Sequence, residues 1–283
     1  MNCYLCQHNH FTIRKGVVRD SPSLQCLQCC DCGLVQLSQT DHIAPSFYEY
    51  SGMHGVDPSS MEAWLKDTER DDQRRFEMVK GIVANKRLLD FGSGAGGFLL
   101  RAKSLAAEVT GVEIERRVSE YWGSSGLNIQ SSVESLRSEY DLITAFHVIE
   151  HLKDPRAILA KLGQLLGPSG RIIIEVPSSD DALLTLYDCD AFQRFTYWSQ
   201  HLFLFNASTL KVLVEQAGLK VVALKHYQRY PLSNHLHWLS QGEAGGHERW
   251  MFLNTPELTS AYESALSAIG KTDTLIAYLE SCD

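Results

Sequence analysis

Residues 88–98 read Leu-Leu-Asp-Phe-Gly-Ser-Gly-Ala-Gly-Gly-Phe, so four glycines follow closely on a short apolar run. The apolar run predicts a buried strand over residues 87–91, and the chain beyond the glycines predicts a helix over 95–106. Because glycine has no Cβ, the chain can turn sharply here and a ligand can approach the first turn of the helix. The segment therefore predicts a ligand-binding turn between a strand and a helix.

Beyond Lys86 the chain repeats this alternation of short apolar runs with helical stretches. Such alternation is typical of a parallel sheet covered by helices on both faces, so the predicted fold class is α/β. Strands are predicted at 87–91, 108–113, 127–130, 140–146, 171–176, 219–228 and 273–279. Helices are predicted at 58–84, 95–106, 115–123, 154–166, 207–217 and 257–269.

The glycines alone leave two kinds of cofactor open. Gly92, Gly94 and Gly97 fit the spacing of a dinucleotide-binding loop, and an acidic residue, Glu113, follows at a suitable distance. Asp90 lies two residues before the first glycine, where its carboxylate would repel a pyrophosphate but could hold an ammonium group. This favours a cofactor that carries an ammonium group over a nicotinamide dinucleotide.

Several motifs resemble, in order, those of the class I S-adenosylmethionine-dependent methyltransferases, over about residues 60–283. Asp90–Gly96 resembles their first motif, Asp/Glu-x-Gly-x-Gly-x-Gly, and Asp141–Leu152 resembles the fourth-strand segment that runs beneath the cofactor. Gly167–Pro177 resembles the entry to the fifth strand. The resemblance implies a seven-stranded, mostly parallel, Rossmann-like methyltransferase sheet with an antiparallel last strand.

The same resemblance implies that the cofactor is S-adenosyl-L-methionine. Its methionine end would lie in the glycine loop, and Glu113 would accept hydrogen bonds from both ribose hydroxyls. Where the family often has an aspartate near the adenine, this chain has Ser131–Glu134, so the Ser132 side chain or the Val133 backbone would serve. The implied cofactor-binding residues are Asp90, Gly92, Ser93, Gly94, Gly96, Glu113, Ile114, Ser132, Val133, Phe146 and His147.

Two histidines, His151 and His201, are candidates for the catalytic base, because the pKa of histidine lies near neutrality. By the resemblance, His151 would stand at the rim of the site and face the acceptor. His201 would follow the fifth strand, where related enzymes build the acceptor wall. A buried histidine with a structural role is the competing interpretation for each. A divalent metal held by Glu150, His151 and His201 is a further alternative, although their spacing forms no close metal-binding motif.

Six of the eight cysteines lie in the first 32 residues. Cys3 and Cys6 form one Cys-x-x-Cys pair and Cys29 and Cys32 form a second, a pattern that predicts four thiolates around a structural Zn²⁺ ion. We favour the second pair because Gly33 follows it directly and lets backbone amides turn toward the sulfur. The alternative ligands are Cys26, Cys30, His8 and His10. Unliganded thiols or a reduced redox pair are the competing interpretation.

Changes in composition along the chain predict its organisation. Residues 36–60 are rich in Ser, Pro, Gly and His and contain an aromatic cluster around Tyr48 and Tyr50. Near the other end, His235 and His237 could face one side of a strand. The predicted parts are a zinc ribbon at 1–38, an aromatic linker or lid at 39–60 and a methyltransferase domain at 61–283, which contains an acceptor wall at about 178–206 and an insertion at about 230–272.

The overall composition limits the partners of this 283-residue chain. Hydrophobic residues make up 44% and charged residues 21%, as in an ordinary globular protein. The formal net charge of −8 makes nucleic acid an unfavourable partner, because tight binding to phosphates needs basic surface. No apolar stretch approaches the roughly 20 residues that cross a membrane, and no signal-peptide core is seen, so we expect a cytoplasmic protein.

The predicted function is methyl transfer to a small-molecule acceptor. Proteins that pair a four-cysteine ribbon with this domain resemble those that modify sugars or surface-polysaccharide precursors, which implies a hydroxyl of a sugar, nucleotide sugar or glycan. An RNA or protein methyltransferase that uses the ribbon as a substrate reader is one alternative. A non-catalytic scaffold that binds S-adenosylmethionine is another. The sequence does not exclude assembly into a homo-oligomer.

Overall fold

The computed structural model describes residues 1–44, 46–50, 60–123, 126–137 and 139–282. The strands are β1 (Phe11–Ile13), β2 (Cys26–Cys29), β3 (Val35–Leu37), β4 (Arg87–Phe91), β5 (Glu108–Val112), β6 (Asn128–Gln130), β7 (Tyr140–Phe146), β8 (Leu166–Pro177), β9 (Phe203–Leu204), β10 (Leu219–Tyr227) and β11 (Thr274–Ser281). The helices are α1 (Met61–Val83), α2 (Gly97–Ala102), α3 (Arg116–Trp122), α4 (Pro155–Gln164), α5 (Ala182–Thr185), α6 (Asp190–Thr196), α7 (Ala207–Gln216), α8 (Leu232–Gln241), α9 (Gly246–Arg249) and α10 (Pro256–Ala268).

The larger sheet among the described residues has seven strands in the order β10-β11-β8-β7-β4-β5-β6. The pairs β4/β5, β4/β7, β5/β6 and β7/β8 are parallel, whereas β11 runs antiparallel to both β8 and β10. This confirms the predicted α/β sheet, mostly parallel with an antiparallel last strand. The order reverses beside β4, which creates a crevice at the carboxyl ends of the strands where ligands commonly bind.

The central strands are apolar because helices cover both faces of the sheet. Leu89 of β4, Ile143 of β7 and Ile173 of β8 are fully buried. Asp90 breaks this pattern at the end of β4, where its carboxylate is only 3% exposed. A buried carboxylate in an apolar strand is costly unless it has a partner, so Asp90 marks the crevice as a site.

The smaller sheet joins the N-terminal segment to the main domain. Its order is β1-β2-β3-β9, and every neighbouring pair is antiparallel. The fourth strand, β9, comes from the segment after β8, and Val35 of β3 pairs there with Leu204. Leu34 and Phe205 are buried in the same apolar core as Leu89. The N-terminal segment is therefore built into the main domain through a shared sheet and a shared core.

The chain between β10 and β11 folds into helices. Residues 232–241 form α8, which carries both His235 and His237 on buried positions. The prediction that these two histidines face one side of a strand was therefore wrong. Alternating spacing suggested a strand, but the apolar residues of this segment follow a helical period and Gly242, with φ of 71°, ends the helix.

Candidate active site

A cavity of about 770 Å³ lies at the carboxyl ends of the central strands. One end is bounded by the glycine loop after β4, by Glu113 after β5 and by the turn at Ser132. The opposite end is bounded by aromatic side chains from α6 and α8 and by polar side chains near Arg229. His151 and His201 line the cavity together with Glu150. We call the first end the glycine half and the second the aromatic half.

The glycine loop closes the bottom of the glycine half. Gly92 has φ of 72°, and a Cβ there would collide with the side chain of Val148. Ser93 and Gly94 also line the cavity. Gly96 is not among the residues that line the cavity, and its predicted role in cofactor binding stays a prediction. A Cβ on Gly96 would lie 2.9 Å from Nε1 of Trp122, so this glycine is needed for packing behind the loop.

Asp90 lies beneath the loop with its carboxylate in the cavity wall. Its Oδ1 accepts a hydrogen bond of 2.6 Å from the Thr144 hydroxyl. Burial raises the pKa of Asp90 to about 7, although this hydrogen bond opposes the shift. A cation in the cavity would favour the ionised form. The position therefore suits the ammonium end of a ligand.

Glu113 stands at the tip of β5, where the resemblance placed the acid for a ribose. Its Oε2 accepts a hydrogen bond of 2.9 Å from the Gly94 backbone N–H, and its Oε1 accepts one of 3.0 Å from Glu115 N–H. Burial raises its pKa. Each carboxylate oxygen can accept a second hydrogen bond, so the carboxylate fixes the loop and can still receive a diol.

The remaining predicted cofactor residues also line the glycine half. Ile114, Ser132, Val133 and Phe146 all lie on its wall. The Ser132 hydroxyl accepts a hydrogen bond from the Glu134 backbone and also contacts the Glu134 carboxylate. Glu134 was not among the predicted residues. These side chains could surround a flat heterocycle with apolar contacts and a few polar groups.

Helix α1 covers the glycine half, a role that the sequence analysis missed. Trp64, Thr68, Asp72 and Arg75 line the cavity from one face of this helix. Their spacing of three or four residues was the available signal, since such residues share a helix face. Arg75 lies 4.9 Å from the centre of the Phe146 ring and 3.0 Å from Glu175.

A chain of buried charges crosses the floor of the cavity. His147, with φ of 54°, places Nδ1 3.2 Å from Glu150 Oε1 and Nε2 3.1 Å from Glu175 Oε1. Arg74 also donates to Glu175, at 2.8 Å. Although burial opposes it, the two carboxylates raise the pKa of His147. The two arginines, together with His147 when it is protonated, therefore compensate for the buried negative charges.

The structure brings His151 and His201 together, although 50 residues separate them in sequence. Their ring centres are 4.9 Å apart. His151 Nδ1 donates to the Gln200 carbonyl at 2.9 Å, and its Nε2 lies 3.9 Å from Glu150 Oε1. Burial lowers the pKa of His201 to about 3 and also lowers that of His151. Both imidazoles are neutral near pH 7 and have lone pairs available to a proton or a metal.

The aromatic half begins beside these histidines. The Trp198 ring lies 5.5 Å from His201 and 6.2 Å from His151. The wall continues with Phe192, Phe195 and Trp238, and Arg229, Asn234, His235 and His247 supply its polar groups. Part of the wall belongs to the predicted acceptor segment 178–206, and part to the insertion at 230–272. Tyr48 lines the cavity from the predicted lid, whereas residues 51–59 of that lid lie outside the described residues.

The four favoured cysteines form a second cluster, in which two precede β1, one ends β2 and one lies between β2 and β3. Cys3 and Cys32 have their sulfurs 3.5 Å apart, as do Cys6 and Cys29, and all four sulfurs lie within 4.8 Å of one another. Backbone N–H groups of Asp31 and Cys32 bond to the Cys29 sulfur. None of the alternative ligands belongs to this cluster. Cys26 is buried, Cys30 is exposed, and His8 and His10 approach Asp31.

Within the described ranges, we find no helix whose length and apolar character would let it cross a membrane.

The sequence matches the protein family described as a methyltransferase domain over residues 61–224, which is more than half of the chain. It is 24% identical over 203 residues to the ubiquinone biosynthesis O-methyltransferase of Bordetella avium, a match that covers 65% of this chain and 78% of that protein. A shorter match of 111 residues, 35% identical, covers 35% of this chain and 47% of the protein of the same name from Nitrosococcus oceani.

Solved structures show the same fold. A SAM-dependent methyltransferase from Archaeoglobus fulgidus superposes with a TM-score of 0.53 at 19% identity, covering 75% of this chain and 94% of that one. A chain from the complex of the Haloferax volcanii Trm112 methyltransferase activator with a methyltransferase gives a TM-score of 0.51 at 12% identity. The match covers 81% of this chain and 100% of that one.

Proposed function

Because this chain belongs to the methyltransferase-domain family and is an S-adenosylmethionine-dependent methyltransferase, we propose that it methylates a hydroxyl group of a small-molecule acceptor. One observation carries the proposal. The neutral imidazoles of His151, which is buried, and His201, which is partly buried, lie between the charged floor of the glycine half and the aromatic half. A hydroxyl must lose its proton on methylation, so these histidines stand where help with that proton is needed.

We propose that the cofactor occupies the glycine half. Asp90 would hold its ammonium group and Glu113 its ribose hydroxyls, while Ser132, Val133 and Ile114 would surround the adenine. The sulfonium would then point toward the histidines. Transfer is an in-line displacement, in which the acceptor oxygen bonds to the methyl carbon as the carbon–sulfur bond breaks.

The acceptor, in our proposal, carries its hydroxyl on or near a ring. Phe192, Phe195, Trp198 and Trp238 offer ring faces that suit a planar group or the apolar face of a sugar. The relatives named for ubiquinone biosynthesis are O-methyltransferases, which favours oxygen as the methylated atom. A sugar or nucleotide-sugar hydroxyl is the second candidate, because Arg229, Asn234 and His235 could bond to several hydroxyls in that half.

Cys3, Cys6, Cys29 and Cys32 would hold a structural Zn²⁺ ion in this proposal. The donor set fits the ion: a tetrahedron of thiolates about 2.3 Å from zinc has edges of about 3.8 Å, close to the observed sulfur spacing. Backbone N–H groups around Cys29 support thiolate ligands. With four protein ligands the ion would have no open position, so its contribution would be to fix the N-terminal strands.

Methyl-labelled S-adenosylmethionine, incubated with a panel of acceptors, tests this function. The panel contains catechols and other phenols, nucleotide sugars, glycans, total RNA and unrelated proteins. We expect label in a stable ether on a phenol or a sugar. Label found only in RNA or protein would replace the proposal with the substrate-reader function. Tight cofactor binding without transfer to any acceptor would support the scaffold function instead.

A further inference from the structure

Glu150, His151 and His201 form a cluster of three possible ligand atoms, whereas a proton acceptor needs only one. One ligand atom from each lies within 4.8 Å of the others. Glu150 is fully buried, His151 is 7% exposed, and all three line the cavity. Burying the Glu150 carboxylate beside the buried His151 and the partly buried His201 is unfavourable unless something binds between them.

The hydrogen bonds around the cluster leave its inward atoms free. The Gln200 carbonyl can only accept, so His151 Nδ1 carries the proton and its Nε2 presents a lone pair on the side of Glu150. Glu150 is contacted by His147 through Oε1. Its Oε2 and the Nδ1 of His201 are buried and have no hydrogen-bond partner among the residues that the structure describes. A free lone pair on His151 and a free carboxylate oxygen on Glu150 are what a cation requires.

We propose that Glu150, His151 and His201 bind a divalent cation, an inference that rests on the proposed function and deepens it. Two imidazoles and one carboxylate suit Mn²⁺, Fe²⁺, Co²⁺ or Zn²⁺ better than Mg²⁺ or Ca²⁺, which prefer all-oxygen sites. Three protein ligands leave positions open toward the cavity. The Gln200 carbonyl on the far nitrogen of His151 is the kind of outer contact that orients a histidine ligand.

The open positions give the cation a chemical role at the acceptor. An acceptor hydroxyl bound there would become more acidic and would release its proton to solvent. The oxygen then forms a bond to the methyl carbon, and the carbon–sulfur electron pair goes to sulfur. The products are the methyl ether, neutral S-adenosylhomocysteine and one proton. The two histidines thus act as ligands, and no separate base is needed.

Binding of Mn²⁺ to the full chain tests the site directly. The loss of the EPR signal of free Mn²⁺ measures this binding. Mn²⁺ is the probe because it binds four-thiolate sites weakly. We expect about one equivalent bound to the wild type. Glu150→Gln and His201→Ala should each weaken this binding at least about tenfold, as expected for lost ligand-sphere contacts. His235→Ala, which removes another buried cavity histidine, should leave Mn²⁺ binding unchanged.

Calorimetry with S-adenosylmethionine separates this inference from the function on which it rests. We expect both variants to bind the cofactor with near wild-type affinity, which also shows that they fold. Absence of Mn²⁺ binding by the wild type, or unchanged binding in both variants, would overturn the cation site and leave the methyltransferase proposal standing. Absence of cofactor binding by the wild type would overturn the proposed function itself.

Discussion

The two halves of the cavity are built in different ways. The glycine half comes from loops that directly follow neighbouring parallel strands, so Asp90 and Glu113 are placed by strand order alone. The aromatic half and the histidines come from segments far apart in sequence, held by the small sheet and by α8. The first construction is visible as a sequence motif and the second is not. The difference predicts that mutations will separate cofactor binding from methyl transfer.

The largest expected effect concerns the glycine half. Asp90→Asn removes the buried charge that would face the cofactor's ammonium group, while it keeps the side-chain shape. We expect the affinity for S-adenosylmethionine to fall about 100-fold, or about 2.7 kcal/mol. Calorimetry measures the change. Asp141→Asn is the matched control, because Asp141 accepts a hydrogen bond from the Arg87 backbone and lies outside the cavity.

The histidines should show the opposite pattern. His151→Ala and His201→Ala should each lower the rate of methyl transfer at least about tenfold, whether the histidine binds a proton or a cation. Affinity for S-adenosylmethionine should stay within about twofold. Transfer of labelled methyl groups gives the rate, and calorimetry gives the affinity. Full activity in both variants would remove these residues from the mechanism.

The pH dependence of cofactor binding sharpens the assignment of Asp90. Burial raises its pKa to about 7 in the free protein, with Thr144, Arg75, Asp72 and Glu113 as its neighbours. A bound cation favours the carboxylate, so below pH 7 binding must first release a proton. Affinity should therefore fall as the pH falls, by up to about tenfold per unit. Asp90→Asn should abolish this slope. A flat profile in the wild type would contradict the assignment.

The smallest effect on cofactor binding is expected from the N-terminal cysteines. Cys3→Ser should lower the zinc content from about one equivalent to near zero, because three thiolates hold the ion poorly. Cys189→Ser, which removes a buried thiol outside the cluster, should not change it. Elemental analysis measures both. Cofactor affinity should stay within about twofold of wild type, since the cysteines lie outside the cavity lining.

The sequence was informative wherever one segment builds a feature by itself. The strand at 87–91 has the predicted bounds, and the four favoured cysteines gather as their spacing and Gly33 suggested. The packing of Gly96 against Trp122 could not be predicted, because a glycine required for packing cannot be told from one that faces a ligand. The pairing of β3 with β9 gave no local signal, since a two-residue strand depends on its distant partner.

The histidine cluster shows the same limit more clearly. His151 and Glu150 are adjacent in sequence, but His201 reaches them only because β9 joins the small sheet directly after it. No spacing rule connects residues that meet through such a contact. The role of α1 could have been derived from the sequence, because Thr68, Asp72 and Arg75 share a helix face. The sequence alone does not show which part of the protein this polar face contacts, whereas in the structure it lines the cavity.

A crystal structure of the chain soaked with S-adenosylmethionine tests the central claim most directly. The account predicts the donor in the glycine half, with its ammonium group on Asp90, its ribose on Glu113 and its methyl group directed at His151 and His201. A donor bound elsewhere, or NADH bound in the glycine half in its place, would contradict the account.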